Sequence, residues 1–281
     1  MHKNIMTIIG CEDNYEESNI VIFGAPFDST TSYRPGTRFA SSAIRNESYG
    51  IETYSPYQDK DMEDYCFFDC GDLELPFGAP DLALKQIKDF VAARVKDHKI
   101  PFMIGGEHLV TLGAVEAMVE TYPDLHILHF DAHTDLRDSY LDVKKSHATV
   151  IRRCHDLVGD GRIFQFGIRS GERDEFYWAK SHTYLHKFDF ETLDQIVEEL
   201  QGKPVYFTLD LDVLDPSVFP GTGTPEAGGV TFSQLLEALK LVSKLSIVGL
   251  DMNELSPMLD QSGASTAVAC KILREILLYL S

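Results

Sequence analysis

Short apolar runs rich in β-branched and aromatic residues recur along the chain, each bounded by Gly, Pro or Asp. Eight of them read as strands: Asn19–Gly24, Tyr65–Cys70, Pro101–Ile104, His126–Phe130, Ile163–Ile168, Thr183–Phe188, Val205–Leu209 and Ser246–Leu250. Helical spacing fills several intervals between them. Over Asp81–Lys96, apolar residues such as Leu84, Ile87, Val91 and Val95 recur at three- and four-residue steps. Thr231–Ser243 opens with a capping threonine before Leu235, Leu236, Leu239 and Val242. Leu109–Thr121, His147–Leu157, Glu191–Leu200 and Ser262–Leu280 are further helical candidates. Strands alternating with helices predict parallel crossovers, hence an α/β fold whose mostly parallel sheet is covered on both faces. No repeat, low-complexity tract or linker interrupts the pattern, so residues 1–281 are expected to form one domain.

Composition narrows the class. The chain has 281 residues with 44 acidic against 25 basic side chains, a formal charge of −19. Sequence-independent nucleic-acid binding draws its affinity from Lys and Arg on phosphates, so this balance argues against it, and equally against an anionic membrane surface. It favours solubility and, through long-range steering, a cationic small molecule. The five cysteines, Cys11, Cys66, Cys70, Cys154 and Cys270, lack zinc-type spacing, which fits a reducing cytosol and buried thiols. Residues 1–14 hold only the short apolar run Ile5–Ile9, too little for a signal peptide. No uncharged apolar stretch reaches the roughly 18 residues of a membrane span.

The candidate chemistry lies where strands end. Pro101–Ile104 runs into Gly105-Gly106-Glu107-His108, and His126–Phe130 into Asp131-Ala132-His133-Thr134-Asp135. Val205–Leu209 runs into Asp210-Leu211-Asp212, and Ser246–Leu250 into Asp251-Met252-Asn253-Glu254. In a parallel sheet all four segments project at one edge, where ligands bind in such folds. Aspartates at the end of a buried strand are costly unless paired or bound to a cation. Asp131, Asp135, Asp210 and Asp212 offer four carboxylates, and His108 and His133 two imidazoles. That set over-serves one divalent cation and balances the charge of two. Mixed carboxylate and imidazole donors suit Mn²⁺, with Zn²⁺, Fe²⁺ or Co²⁺ as competitors. Two bridged metals lower the pKa of a shared water toward 7, which points to a dinuclear metallohydrolase.

Gly105–His108, Asp131–Asp135, Ser146-His147, Asp210–Pro216, Gly221–Pro225 and Asp251–Glu254 together resemble the ureohydrolase family of arginases, agmatinases and relatives, over nearly the whole chain. Pro35–Arg38 followed by Ile44-Arg45 also fits. Ala40-Ser41 stands where the family usually has Gly-Pro, a departure that concerns packing or assembly. The resemblance implies a three-layer α/β/α sandwich of about eight strands holding two Mn²⁺ per chain. By motif, His108, Asp131, Asp135 and Asp210 hold one metal and His133, Asp131, Asp210 and Asp212 the other. It implies that Asp135 helps move a proton to the leaving amine, that His147 shuttles protons, and that Glu254 pairs with the guanidinium. Thr224 is a further expected contact.

Arginases place Asn, for the substrate's α-carboxylate, where this chain has Arg137. Ser146–Arg153 is closer to bacterial agmatinases, so agmatine, hydrolysed to putrescine and urea in polyamine synthesis, is the expected substrate. A carboxylate contact by Arg137 keeps arginine, guanidinobutyrate and formiminoglutamate open. A deacetylase would use one metal and a different His/Tyr set, and a non-catalytic relative would lack ligands. The resemblance also implies a homo-oligomer, trimer or hexamer, and the cysteine usage a cytoplasmic location. The other histidines read more plainly. His126 and His129 are expected to pack or to support the site, while His2, His98, His155, His182 and His186 have no partner legible in sequence. Phe176, Tyr177 and Trp178 read as packing residues.

Overall fold

All eight apolar runs pair into one sheet. The computed structural model describes residues 6–11 and 14–281, so the reading of residues 1–14 falls partly, and His2 wholly, outside the described residues. The strands are β1 (Ile20–Gly24), β2 (Tyr54–Ser55), β3 (Lys60–Asp61), β4 (Phe67–Asp72), β5 (Ile100–Ile104), β6 (His126–Phe130), β7 (Ile163–Ile168), β8 (Tyr184–Lys187), β9 (Pro204–Asp210) and β10 (Ser246–Asn253). The helices are α1 (Ala40–Glu47), α2 (Pro80–Lys96), α3 (Val110–Thr121), α4 (Val150–Val158), α5 (Arg173–His182), α6 (Leu193–Glu199), α7 (Phe232–Val242) and α8 (Ala264–Leu280). The sheet order is β4-β1-β5-β10-β9-β6-β7-β8, with β2 and β3 forming a separate antiparallel pair. Every pairing in the large sheet is parallel.

Two apolar clusters flank the sheet. One packs α1, α6, α7 and α8 through residues such as Ile44, Leu193, Leu239 and Leu277 against Phe102, Leu128 and Phe207. The other packs α2, α3 and α4 through Ile87, Val115 and Ile151 against Phe23, Met103 and Ile127. Successive strand side chains point to opposite faces, so a strand covered on both sides is buried throughout, as β1, β6 and β7 are. This is the three-layer architecture expected. Among the described residues no helix is long and apolar enough to cross a membrane.

Two helices and the β2–β3 pair escape the sequence reading. The helix α5 buries only Glu175 and Ala179, so its apolar spacing is faint, and its start is marked by a Glu172–Glu175 capping box. The eight-residue α1 buries Ala40, Ser41, Ile44 and Arg45, too short a face for a periodic signal. Ala40 and Ser41 thus lie in the packed start of a helix, and a Cβ on Gly24 would strike Ser41. Cys11, Cys154 and Cys270 are buried, whereas Cys66 is exposed.

Candidate metal centre

β5, β10, β9 and β6 are consecutive in the sheet and parallel, so their carboxyl ends lie side by side. The four polar segments therefore meet at one edge. Gly106 makes the approach possible: a Cβ there would overlap the Phe27 carbonyl, which accepts the Glu107 N–H at 2.7 Å. Asp135 (φ 52°) and Glu254 (φ 66°) both hold left-handed backbone, a conformation uncommon for residues with a side chain.

Asp131, Asp135, Asp210, Asp212, His108 and Glu254 are all buried, and His133 is partly so. The orientation of His108 follows from its partners. Thr208 Oγ1 donates its single proton to Asp251 Oδ1 at 2.6 Å, so it accepts from His108 Nε2 at 2.8 Å. That leaves the lone pair of His108 Nδ1 facing Asp131 Oδ2 at 3.0 Å, Asp210 Oδ2 at 3.2 Å and Asp135 Oδ2 at 3.3 Å. Nδ1 makes no hydrogen bond to any of them, and Asp212 Oδ2, 3.0 Å from His133 Nδ1, is likewise without one. Asp131 Oδ1 lies 3.5 Å from the same His133 nitrogen. Electron pairs converging on an interior point need a cation there. The chemistry of the set, imidazole and carboxylate with no thiolate, fits a hard or borderline divalent ion.

The electrostatics say the same. Burial alone would lower the pKa values of His108 and His133, yet facing carboxylates carry both well above their ordinary values. Without a metal, the carboxylates draw a proton into the cation's place. Burial raises Asp210 well above its ordinary range, with the charges of Asp212 and Asp131 adding to it. Asp135 is pushed to about 6 by burial and then by Asp131. Burial would also raise Asp131, but its interaction with His129 and contacts from His108 and His133 take it well below. Divalent ions would reverse the rises by stabilising each carboxylate.

Residues inside the strands aim the donors. Gln165 Nε2 donates to the Thr134 carbonyl at 2.8 Å and lies 3.1 Å from His129 Nδ1. That contact leaves His129 Nε2 to donate to Asp131 Oδ2 at 2.8 Å. Asp251 accepts from Tyr206 as well as Thr208, both at 2.6 Å. Asp210 Oδ1 accepts the Asp212 N–H at 2.8 Å, and Asp212 Oδ1 the Ala132 N–H at 3.1 Å. Such outer contacts fix ligand orientation and tautomer. His129 matches its expected supporting place; Thr208 and Gln165 were not singled out, because they sit within apolar runs and bond across strands, and Asp251 was read only as part of the polar segment after Ser246–Leu250.

A cavity of about 280 Å³ opens above the cluster, lined in part by His108, His133, Asp135, Asp210, Thr224 and Glu254. Arg137 and His147 also line it, so all ten expected site residues lie in this region, Asp131 and Asp212 through their contacts with the two imidazoles. Glu254 Oε1 accepts the His108 N–H at 2.7 Å, and burial pushes its carboxyl up to about 8. His147 is held at the rim by its N–H on Thr30 Oγ1 (3.1 Å) and by Ser32 Oγ, 3.2 Å from Nε2. Thr30 is fixed in turn by Glu107, which accepts from its hydroxyl at 2.6 Å and its N–H at 2.8 Å. Burial lowers His147 to about 4, so its imidazole is neutral near pH 7. Arg137 lies 3.2 Å from Glu172 and 3.7 Å from Glu175.

The family described as the arginase family matches residues 18–279. The agmatinase of Bacillus anthracis is 47% identical over 269 residues, covering 94% of this chain and 93% of that one. The agmatinase of Bacillus subtilis strain 168 is 45% identical over 274 residues, covering 96% and 94%. The crystal structure of a protein from Clostridium difficile, 56% identical, matches with a TM-score of 0.93 over 95% of this chain and 99% of that one.

A raised carboxyl pKa means the ionised form is penalised in the fold, so stability falls as pH rises through it. Asp210→Asn should therefore leave the metal-free protein at least as stable as the parent at pH 8. The same substitution should remove most of the stabilisation by Mn²⁺, which for the parent at a hundredfold excess over Kd is about 2.7 kcal/mol. Thermal unfolding with and without Mn²⁺ measures both, and undiminished Mn²⁺ stabilisation of the variant would contradict the assignment.

Proposed function

The chain belongs to the arginase family, and from that premise we propose that it hydrolyses agmatine to putrescine and urea with two Mn²⁺ ions per chain. It is a ureohydrolase acting on guanidino C–N bonds. The observation that carries the reading is the bare His108 Nδ1 facing three carboxylates, in a cavity that Glu254 also lines.

In this reading His108, Asp131, Asp135 and Asp210 would hold one ion and His133, Asp131, Asp210 and Asp212 the other. Bound there, two divalent ions would supply Lewis acidity and make hydroxide available near pH 7. The chain's own residues do the rest. Glu254 accepts hydrogen bonds from the guanidinium; the cation favours its ionised form and offsets the burial that raises it. Asp135 takes a proton from the attacking water and passes it toward the leaving amine. His147, neutral and at the rim, exchanges that proton with solvent. Thr224 bounds the substrate's path.

The Arg137 pairing favours agmatine over a carboxylate-bearing substrate. Glu172 and Glu175 already engage its guanidinium, so its charge is compensated before any ligand arrives. A second ammonium group, not a carboxylate, suits such a wall. The family resemblance adds a homo-oligomer, trimer or hexamer, to the proposal, and the cysteine usage a cytoplasmic location.

Urea release from Mn²⁺-loaded protein should be fastest with agmatine in a panel with arginine, guanidinobutyrate and formiminoglutamate; turnover of arginine above agmatine would refute the substrate assignment. His147→Ala should keep both metals while turnover falls about 100-fold, the lower end for general acid–base groups. Glu254→Gln should raise KM by roughly 10- to 100-fold, as expected for losing a charge-assisted bond. Metal analysis and steady-state kinetics separate the two, and unchanged kinetics in either variant would remove that residue from the scheme.

A further inference from the structure

A second convergence of metal-binding side chains lies outside the cavity, where α4 and α5 end. His155 stands in the last turn of α4, His182 is the last residue of α5, and Asp160 sits in the loop after α4. Asp160 Oδ1 contacts His182 Nδ1 at 2.6 Å and His155 Nε2 at 2.8 Å. The three donor atoms lie within 4.8 Å of one another. None of the three residues lines the cavity above the metal centre.

The backbone is arranged to hold this cluster. Asp160 is flanked by Gly159 (φ 81°) and Gly161 (φ 72°), and neither has a neighbour within 4 Å of where a Cβ would stand. Glycine serves there for left-handed backbone alone. The Gly159 N–H donates to the His155 carbonyl at 2.8 Å and the Gly161 N–H to the His182 carbonyl at 3.1 Å. The loop is thus tied by its main chain to the two residues whose side chains meet Asp160. The imidazoles are fixed too. Trp178 stacks on His182 with centroids 4.2 Å apart and meets His155 edge-on at 4.6 Å, while Arg152 covers the indole at 3.8 Å. The carboxyl of Asp160 is held below its ordinary range by His182 and then His155, so it is ionised at neutral pH.

We propose that His155, Asp160 and His182 form a separate binding site for a divalent transition-metal ion of the Zn²⁺ class, tying the ends of α4 and α5 together. Two imidazole nitrogens and one carboxylate oxygen are a borderline donor set, better suited to Zn²⁺ than to Mg²⁺ or Ca²⁺. Ligands at about 2.0–2.1 Å from a tetrahedral Zn²⁺ stand roughly 3.3 Å apart. The present contacts must open by about half an ångström, with each imidazole proton moved to its other nitrogen; the side chain of Asp160, 64% exposed, has room to swing. Water completes the shell. Both helices start beside the cavity, α4 after His147 and α5 at Glu172, so an ion at their far ends anchors the segment carrying both.

Trp178 is the only tryptophan in the chain, which gives the site its own reporter. Protein kept saturated with excess Mn²⁺ is titrated with Zn²⁺ while tryptophan emission is followed, and bound zinc is counted by elemental analysis after desalting. The expected result is an emission change that saturates with one Zn²⁺ per chain. Asp160→Asn keeps an oxygen for the imidazole N–H groups but is a far poorer metal ligand, so zinc affinity at this step should fall at least tenfold. His182→Gln should do the same by a different route. No emission change with no retained zinc overturns the proposal. So does an emission change of equal affinity in Asp160→Asn and His182→Gln, which would place the ion elsewhere.

Discussion

Four carboxylates buried at one edge of a sheet repel one another, and the rest of the structure is organised around that cost. Asp131, Asp135, Asp210 and Asp212 come from the ends of two neighbouring strands, β6 and β9, with His108 supplied from β5 and Glu254 from β10. Burying like charges so close is unfavourable unless cations occupy the space between them. The fold therefore stores electrostatic strain that bound divalent ions would relieve. Part of the formal charge of −19 is thereby local, belonging to these four carboxylates, while the remainder lies elsewhere in the chain.

What keeps such a cluster from rearranging is a set of hydrogen bonds drawn from inside the sheet. The Asp251–Thr208–His108 relay crosses β10, β9 and the end of β5, and fixes which nitrogen of His108 is bare. Gln165 on β7 does the same for His129 on β6, which then holds Asp131. Because the groups are already aimed, little reorganisation is left for the moment of reaction. The same logic extends to the rim, where Glu107 fixes Thr30 and Thr30 fixes His147.

Much of this was legible in the chain before any coordinates. Most strands of the large sheet announce themselves because burial on both faces favours largely apolar runs, and a donor just after such a run sits at the carboxyl edge. Hence the metal-ligand candidates could be read from position and residue type. The supporting bonds could not: Thr208 and His108 are 100 residues apart, and Gln165 and His129 36 apart, so only sheet order reveals them. α5 was illegible for another reason. Its inward face is largely a buried glutamate, Glu175, held by Thr134 and the Leu136 N–H, and a polar residue buried by hydrogen bonds leaves no hydrophobic periodicity. The compensation of Arg137 by Glu172 and Glu175 was hidden with it.

The central claim is that the carboxyl edge holds two cations sharing Asp131 and Asp210. Electron paramagnetic resonance of the chain saturated with Mn²⁺ tests it directly, since two ions bridged by shared carboxylates lie about 3.5–4 Å apart and couple. The account predicts an exchange-coupled dinuclear spectrum at two Mn²⁺ per chain. A six-line spectrum of isolated Mn²⁺ at saturation would contradict it.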